Sequence, residues 1–252
     1  MRYLVALLLT SLVAPLASAQ REYSSSWVFR LSTGLDHHLA GDLTTWQASE
    51  QAALASRGIP LQVTDAFPAF PTFRVEAGRA SARWNYRRYI RYEIGAEVGV
   101  SSTGGRLYYE DYSGAFTADR RVRRVLLGVY GEHEVASAGP VLVSGRVHLR
   151  ASPTTTEYRR EVRVGEEVVE GVDASFRSVS YSALPAVTAE LDLSERFRAR
   201  GHVGYEVSWG ARVGEVDRDL PADARWGRGG PRVGWDGVRA GVGLAVRFGV
   251  RD

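Results

Sequence analysis

Charged and histidine side chains recur at every second position of several apolar stretches of this chain. Between residues 90 and 100, for example, Arg91, Glu93 and Glu97 alternate with apolar residues. Successive side chains of a β-strand point to opposite faces, so one face of each stretch would carry arginines and carboxylates. Such a face can line a path for a polar solute, or it can form a network of ion pairs. The residues in this pattern are Arg30, Arg74, Glu76, Arg91, Glu93, Glu97, Arg146, His148, Glu190, Asp192, Arg198, Arg200, Glu206, Arg239 and Arg247.

His148 and His202 are the candidate catalytic bases. A lipid-modifying enzyme would need a nucleophile and a base within hydrogen-bond reach. His202 shares its face with Ser208, but six residues along a strand span about 20 Å, and the pattern supplies no acid to orient His148. We therefore predict no catalytic residue and a structural role for both histidines.

His37 and His38, beside Asp36 and Asp42, are the candidate metal ligands. Their spacing fits no recognised metal site, so we interpret them as solvated loop residues. The sequence predicts neither a metal nor a cofactor.

Eight stretches with a period of two must position these side chains. The last stretch is the clearest, because apolar residues fill every even position from Val238 to Val250 while arginine, glycine and alanine fill the odd ones. Pro185 interrupts the sixth stretch and has no N–H to donate, which predicts a local opening of the sheet there. The predicted strands are 27–35, 73–83, 90–100, 122–132, 141–151, 179–193, 197–211 and 238–250.

The connections between these strands alternate in length. Those at 84–88, 133–140 and 194–196 are short, whereas those at 36–72, 101–121, 152–178 and 212–237 are long. This alternation is typical of an up-and-down barrel with tight turns at one rim and long loops at the other.

Residues 1–19 have the features of a secretory signal peptide, since Arg2, an apolar centre and Ala17-Ser18-Ala19 follow one another. We expect its removal and a barrel domain at 20–252. The chain has no cysteine, all its Lys+Arg residues are arginine, and its net charge is +3 with both signs interspersed. A nucleic-acid-binding stripe is therefore not predicted, and no later apolar segment is long enough for a spanning helix.

These features together resemble the small eight-stranded outer-membrane β-barrels of the OmpA/OmpX type. The resemblance rests on the signal peptide, the eight strands, the alternating connections and Phe248 near the end of the last strand. It implies an all-β, antiparallel, up-and-down transmembrane β-barrel with short periplasmic turns and long extracellular loops. It also implies a porin-like protein of the cell envelope, in the outer membrane of a Gram-negative-type bacterium. Outer-membrane lipid and the barrel-assembly machinery, which reads a terminal aromatic residue, are the implied partners.

The direction of the apolar faces separates this barrel from a soluble, lipocalin-like one with an apolar interior. Aromatic residues favour the membrane, because Trp27, Trp84, Tyr86 and Tyr89 fall near the short turns and Tyr108, Tyr109 and Trp209 near the long loops, as two interfacial bands would. Eight strands enclose only enough space for side chains, and buried charges must be paired. We therefore expect a lumen filled by ion pairs. The connection at 194–196 sets Asp192 opposite Arg198 and Glu190 opposite Arg200.

The long loops carry two further signals. Thr44 and Gln47 resemble a capping box at the start of a helix, and Gly58 with Pro60 resembles a signal that ends one. They predict a short helix around 46–55, which covers the barrel mouth or acts as a lid. Gly165-Glu166 predicts a turn in a hairpin that extends the fifth and sixth strands. A structural or interaction barrel, whose loops meet an extracellular ligand or envelope protein, is the favoured function. A narrow pore for small solutes and a lipid-modifying enzyme are the alternatives.

Overall fold

The computed structural model describes residues 24–37, 41–85, 88–210, 212, 220–222, 224–225 and 231–249, with the side chains of residues 24 and 83–90 outside that description. The predicted signal peptide and His38 lie outside the described residues. Within them the chain forms one helix and nine strands. These are β1 (Ser24–Asp36), α1 (Gly41–Ala55), β2 (Gln62–Ala66), β3 (Phe70–Asn85), β4 (Arg88–Asp111), β5 (Gly114–Ala138), β6 (Val141–Val164), β7 (Glu167–Asp192), β8 (Phe197–Gly210) and β9 (Gly237–Phe248).

Eight of the nine strands close into a ring. Each strand of the ring pairs antiparallel with its neighbours in the order β3, β1, β9, β8, β7, β6, β5, and β4 pairs with both β3 and β5 to close it. The first and last strands of the described chain are neighbours, with Trp27 opposite Phe248. Closure leaves no free edge along the ring, which is what a sheet needs to cross a bilayer. The predicted eight-stranded up-and-down barrel is confirmed.

The apolar face of every ring strand points outward. Leu31 and Leu35 are each 65% exposed and Val242 is 64% exposed, whereas Arg30 and Arg74, on the alternate positions, are buried. The predicted orientation is therefore confirmed. We call the outward apolar residues the belt: Phe29, Leu31, Leu35, Phe73, Val75, Ile94, Val98, Val100, Val125, Leu127, Val129, Leu149, Val179, Tyr181, Val187, Val203, Val207, Val242 and Leu244. No described helix has the length and apolar character of a membrane span.

Two of the predicted long connections, 101–121 and 152–178, are largely strands, as the hairpin prediction had indicated for the second. Residues 103–111 of β4 pair with 114–122 of β5, and 156–164 of β6 pair with 167–176 of β7, so the barrel wall continues well beyond the belt. We call this part the extension. Its pattern is inverted, because Leu107 and Phe116 point inward while Arg106 and Asp119 point outward. A search for strands with an outward apolar face misses such segments, since beyond the bilayer the outer face meets water.

The connections at the two rims otherwise follow the expected alternation. β7 and β8 are joined by residues 193–196, and Asp192 and Glu190 lie opposite Arg198 and Arg200, which confirms the predicted register. The hairpin of β6 and β7 turns at Gly165-Glu166, as predicted. The β7–β8 ladder skips Leu184 and Pro185, so the expected opening at the proline is also present.

The first long connection contains more structure than the sequence predicted. The helix α1 begins at Gly41, before the predicted start, and the Thr44 hydroxyl donates to the Gly41 carbonyl at 3.0 Å instead of capping the helix. The unpredicted strand β2 pairs with residues 105–108 of β4 and lies outside the ring.

The predicted aromatic bands are only partly as expected. Trp27 and Trp209 are exposed on the outer face, at 56% and 49%. Tyr108 and Tyr109 instead belong to the extension, beyond the belt. The side chains of Trp84, Tyr86 and Tyr89 lie outside the described residues.

Candidate functional site

The inner face of the ring collects the polar residues that the alternation selected. Because the strands are regular and the ring is narrow, side chains that are distant in sequence meet across the lumen. Of the fifteen predicted residues, Asp192 has a half-exposed side chain at the short-turn rim, while Arg198 and Arg247 are partly buried. The buried ones are Arg30, Arg74, Glu76, Arg91, Glu93, Glu97, Arg146, His148, Glu190, Arg200, Glu206 and Arg239.

Glu190 is the centre of the network nearest the short turns. Its carboxylate accepts hydrogen bonds from Arg200 at 2.9 Å, Arg198 at 3.1 Å and Arg30 at 3.2 Å. Arg91 donates to it at 3.4 Å. Four guanidinium groups from three strands, β1, β4 and β8, thus surround one carboxylate that is 1% exposed.

Arg30 and Arg146 extend this network toward the middle of the lumen. Arg30 donates to Glu93 through both of its terminal nitrogens, and Arg146 donates to Glu76 at 2.8 Å. Arg146 also lies over the ring of Tyr130, 3.6 Å from the centroid, which places a cation on an aromatic face. The charges are therefore paired and stacked, as burial in a low-dielectric interior requires.

Tyr130 fits into the lumen because two glycines face it. A Cβ added to Gly78 would lie 2.3 Å from the Tyr130 hydroxyl oxygen, and one added to Gly95 would lie 2.4 Å from it. Gly78 and Gly95 are opposite one another on β3 and β4. Tyr130 is itself the cross-strand neighbour of Gly95 on β5, so the glycines leave room for a large side chain that lies across the inner faces of β4 and β3.

A second carboxylate centre, Glu206, lies toward the long-loop side. It is completely buried and accepts hydrogen bonds from Arg239 at 2.7 Å, Arg124 at 3.1 Å and the Ser182 hydroxyl at 2.6 Å. Asp36 accepts a hydrogen bond from Arg124 at 3.0 Å. This carboxylate therefore belongs to the ion-pair network and not to a metal site with His37. The two carboxylates and their arginines close the lumen on this side.

His148 has an acid partner that the sequence pattern did not reveal. Its Nδ1 shares a hydrogen bond with Glu97 at 2.8 Å, and Arg150 donates to the same carboxylate at 2.6 Å. A histidine oriented by a carboxylate is part of a catalytic arrangement, but none of the hydrogen bonds of the described residues joins His148 to a hydroxyl nucleophile. His202 instead contacts Arg74 through Nε2, and among the described residues Arg74 has no carboxylate within 4 Å.

Glu76, Glu97 and His148 could together offer three ligand atoms to a metal ion, since these atoms lie within 4.8 Å of one another. Both carboxylates are already bound by guanidinium groups, Glu76 by Arg146 and Glu97 by Arg150. A divalent cation would have to enter among these fixed positive charges. The arrangement therefore favours ion pairing over metal binding.

Space in the lumen is small. A cavity lined by Arg74, His148 and His202 among others has a volume of about 10 Å³, enough for about one water molecule. Bulky inward side chains, Leu126 and Leu184 with no exposure, fill further room on the inner face. The described part of the lumen is thus occupied by charged side chains, most of them paired, and by a few large side chains.

Helix α1 fills the extension above the lumen. Trp46 stacks on Tyr158 with 5.8 Å between ring centroids, and Arg120 lies over both rings, 4.7 and 5.2 Å from their centroids. Glu50 of the helix accepts hydrogen bonds from Arg120 and, at 2.6 Å, from the Tyr158 hydroxyl. A buried apolar cluster surrounds this contact, including Leu43, Leu54, Phe67, Phe70, Leu107, Phe116, Ala118, Val122, Ala174, Phe176, Leu220, Val233 and Trp235.

Among the described residues, seven further charged side chains of the interior lie outside the fifteen predicted ones: Asp36, Glu50, Arg120, Arg124, Glu132, Arg150 and Arg160. Asp36 continues the alternation of the predicted strand 27–35 by one residue, and Glu132 is the last residue of the predicted strand 122–132, so the pattern itself could have included both. Glu132 accepts a hydrogen bond from Arg200 at 2.9 Å. Glu50 and Arg120 gave no comparable signal, because their contact joins a helix to a strand segment with an inverted pattern.

A comparison with known proteins finds structural similarity to solved structures, three of which follow in turn. No protein-family model and no curated protein matches the chain. The chain is similar to Ail, the attachment invasion locus protein of Yersinia pestis, at 11% identity and a TM-score of 0.34, over 90% of this chain and 100% of that one. It is similar to Neisserial surface protein A at 12% identity and a TM-score of 0.29, over 89% and 99% of the two chains. The translocator domain of the autotransporter NalP from Neisseria meningitidis gives 11% identity and a TM-score of 0.30, over 98% and 96%.

The chain's own geometry decides its class. A closed antiparallel ring with an outward apolar belt and a charged interior satisfies its backbone hydrogen bonds internally and presents hydrocarbon-like side chains to its surroundings. Water would be a poor solvent for that outer face, and bilayer acyl chains a good one. The chain is therefore an eight-stranded β-barrel of the outer membrane, the class that the sequence resemblance indicated.

Proposed function

We propose that this barrel is a closed scaffold of the outer membrane whose extension makes contacts outside the membrane. The single observation that carries the proposal is the filled interior. Ion pairs centred on Glu190 and Glu206 occupy the lumen, and helix α1 packs into the extension above them. A solute would have to displace buried, paired charges to pass, and each unpaired charge left behind is costly.

The outward end of the extension is suited to binding another molecule. The β4–β5 hairpin reaches from Val100 in the belt to Asp111, which is about 36 Å for eleven residues of strand. The two hairpin tips contact each other, since the Gly165 amide donates to the Ser113 carbonyl at 3.0 Å. Tyr112 is fully exposed there and Val168 is 49% exposed. Apolar side chains exposed so far from the belt are typical of an interaction surface, and we propose an extracellular ligand or envelope protein as the partner.

Outer-membrane lipid and the barrel-assembly machinery complete the proposed set of partners. The exposed belt needs acyl chains around it, because its valines and leucines have no protein cover. A ring that only closes when β1 meets β9 has to be folded and inserted as a unit, which is the task of an assembly machinery.

Planar-bilayer recording of the refolded mature protein tests the closed lumen. We expect no stepwise conductance from the wild-type protein, because the ion-pair network blocks the lumen. Stepwise conductance that changes size in Arg146→Gln or Arg200→Gln would refute the closed scaffold and favour the narrow pore.

The lipid profile of cells that produce the protein tests the lipid-modifying alternative. We expect cells that produce the protein to keep the same lipid profile as cells that produce the His148→Ala or His202→Ala variant, because His148 is 2% exposed and bound to Glu97. A lipid product that disappears in either variant would contradict the proposal and favour the enzyme.

Photo-crosslinking in intact cells tests the interaction role. We expect a photoreactive residue in place of Tyr112, at the apolar tip, to give a discrete crosslinked product. The same residue in place of Arg159, on the charged side wall of the extension, serves as the control. Absence of crosslinks at the tip, or equal crosslinks at both positions, would count against a binding surface there.

A further inference from the structure

Three exposed arginines stand on the outer wall where the belt ends. Arg123 and Arg177 lie in one row of cross-strand neighbours. From β4 to β7 the row is Ser102, Arg123, Thr155 and Arg177, each opposite the next. Arg121 is two residues further along β5 on the same outer face. All three side chains therefore point away from the lumen.

The apolar belt begins one step below this row. Val125 follows Arg123 and Val179 follows Arg177 at the next outward position of the same strands, and Val100 is the cross-strand neighbour of Val125. Val125 is 42% exposed, Val179 is 47% exposed and Val100 is 52% exposed. Two residues along a strand span about 6.6 Å, so the arginines are at the depth where lipid headgroups meet acyl chains.

Among the described residues, one carboxylate lies close to these three arginines: Glu157, the cross-strand neighbour of Arg121 on β5–β6. Arg123 has one carboxylate nearby, Glu157 at 3.6 Å, and both side chains are more than a third exposed. In the part of the chain that the structure describes, neither Arg121 nor Arg177 has a carboxylate within 4 Å. Other outward arginines of the extension differ, since Arg106 pairs with Asp119 at 2.6 Å.

A cleft in the barrel wall adjoins the three arginines. It has a volume of about 1110 Å³ and is lined by them together with Glu157, Ser102, Thr155 and the belt valines. Pro153 explains part of the indentation, because it has no N–H for the ladder, and the β5–β6 pairing skips from Arg124 and Thr154 to Leu127 and Ala151. The wall is thus recessed between β5 and β6.

From this arrangement we infer a site for the phosphate-bearing headgroup of a membrane lipid. Guanidinium groups bind phosphate oxygens in a bidentate way. The Thr155 hydroxyl adds a donor between Arg123 and Arg177, and the Ser102 hydroxyl adds one on the other side of Arg123. The occupant is a lipid rather than a soluble anion, because a headgroup held by Arg123 and Arg177 has its acyl chains directly over Val125 and Val179. The inference rests on the membrane location and is independent of whether the lumen conducts.

Native mass spectrometry of the refolded mature protein in detergent micelles tests the site. The probe is phosphatidic acid, titrated against phosphatidylcholine, and the readout is the dissociation constant of each lipid. We expect phosphatidic acid to bind more tightly than phosphatidylcholine. In the variant Arg121→Gln/Arg123→Gln/Arg177→Gln we expect its affinity to fall at least about fivefold, which is the effect of about one arginine near a membrane surface.

A matched variant separates the site from general charge. Arg106→Gln/Arg159→Gln/Arg163→Gln removes the same charge from the outer face of the extension, at arginines that already pair with carboxylates. We expect it to bind phosphatidic acid as the wild type does. Equal losses in both triple variants, or no loss in the first, would overturn the inference.

Two controls complete the experiment. Heat-dependent mobility in gel electrophoresis establishes that each variant is folded, and inorganic phosphate is added at concentrations matched to the lipid. Displacement of phosphatidic acid by equimolar phosphate would overturn the lipid assignment, because a lipid should retain the additional contact of its chains with the valines. Planar-bilayer conductance of the same preparations reports separately on the closed lumen, so that proposal and this one can fail independently.

Discussion

Glu190 and Asp192 provide a matched test of how burial decides the strength of an ion pair. Both carboxylates lie on β7, two residues apart, and each is opposite an arginine of β8. The Glu190 side chain is 1% exposed, whereas that of Asp192 is 48% exposed. We therefore propose to compare Glu190→Gln with Asp192→Asn, which remove one negative charge each and retain the shape of the side chain.

The expected difference follows from what each carboxylate holds. Breaking a buried ion pair by removing one partner costs about 3–5 kcal/mol. Glu190 holds four guanidinium groups, but Arg30 retains Glu93 and Arg200 retains Glu132 at 2.9 Å. The loss in unfolding free energy should therefore lie near the lower end of that range, about 3 kcal/mol. For the half-exposed Asp192 pair, solvent screening limits the loss to about 1 kcal/mol or less.

Equilibrium unfolding of the refolded barrel in urea, followed by tryptophan fluorescence, measures both values. A lower unfolding midpoint with an unchanged slope identifies a loss of stability without a change in the folded or unfolded surface. Equal losses in the two variants would refute the reasoning, because burial would then not govern the ion pairs. A more stable Glu190→Gln barrel would show that desolvation of the network outweighs its attraction.

Three further predictions concern the helix, the turn at the outer tip and the glycines. Glu50→Ala should speed amide exchange in α1 by about 100-fold or more, because Arg120 loses its buried partner. Exchange in the ring strands should stay as in the wild type. An α1 that exchanges at the wild-type rate would contradict this prediction. Hydrogen bonds from Ser113, together with the Tyr109 hydroxyl, lower the pKa of Asp111 to about 2. The charged carboxylate should thus stabilise the turn fully above the ordinary aspartate pKa of about 3.9, and this contribution should be lost as the pH falls toward 2. The measurement is amide exchange at Ser113, corrected for its intrinsic rate. An exchange rate that does not change between pH 5 and pH 2 would disprove the prediction. Gly95→Ala should lower the unfolding midpoint, since its Cβ would lie 2.4 Å from the Ala77 carbonyl oxygen, whereas Gly171→Ala has open space; equal midpoints would argue against close packing at Gly95.

Much of the ring could be predicted from the sequence because a strand needs only local information. The alternation in β9, for example, fixes which side chains share a face. The predicted three-residue connection, Ser194–Arg196, limits the register of β7 and β8, so the opposition of Glu190 and Arg200 follows from counting. The same local rule identified the break at Pro185, because a residue without an N–H cannot complete the ladder.

The extension was only partly predictable, because Gly165-Glu166 indicated the hairpin of β6 and β7 but nothing indicated that of β4 and β5. Its strands keep a period of two, but Leu107 and Phe116 turn their apolar side chains inward while charged residues face out. The sense of the pattern depends on whether the outer surface meets lipid or water, and a sequence does not state where the bilayer ends. The buried contact of Glu50 with Arg120 and Tyr158 depends in turn on where α1 is placed.

The sequence by itself determined the strand faces, one tight hairpin register and the charged composition of the lumen. The tertiary structure alone decided which charges meet across the lumen, because ring closure brings together residues as distant as Arg30 and Glu190. It also gave His148 its partner Glu97 and recruited Asp36 and Glu132 to the network. The physical reason is that strand alternation is a local property of the chain, whereas an ion pair across a barrel depends on the positions of strands far apart in sequence.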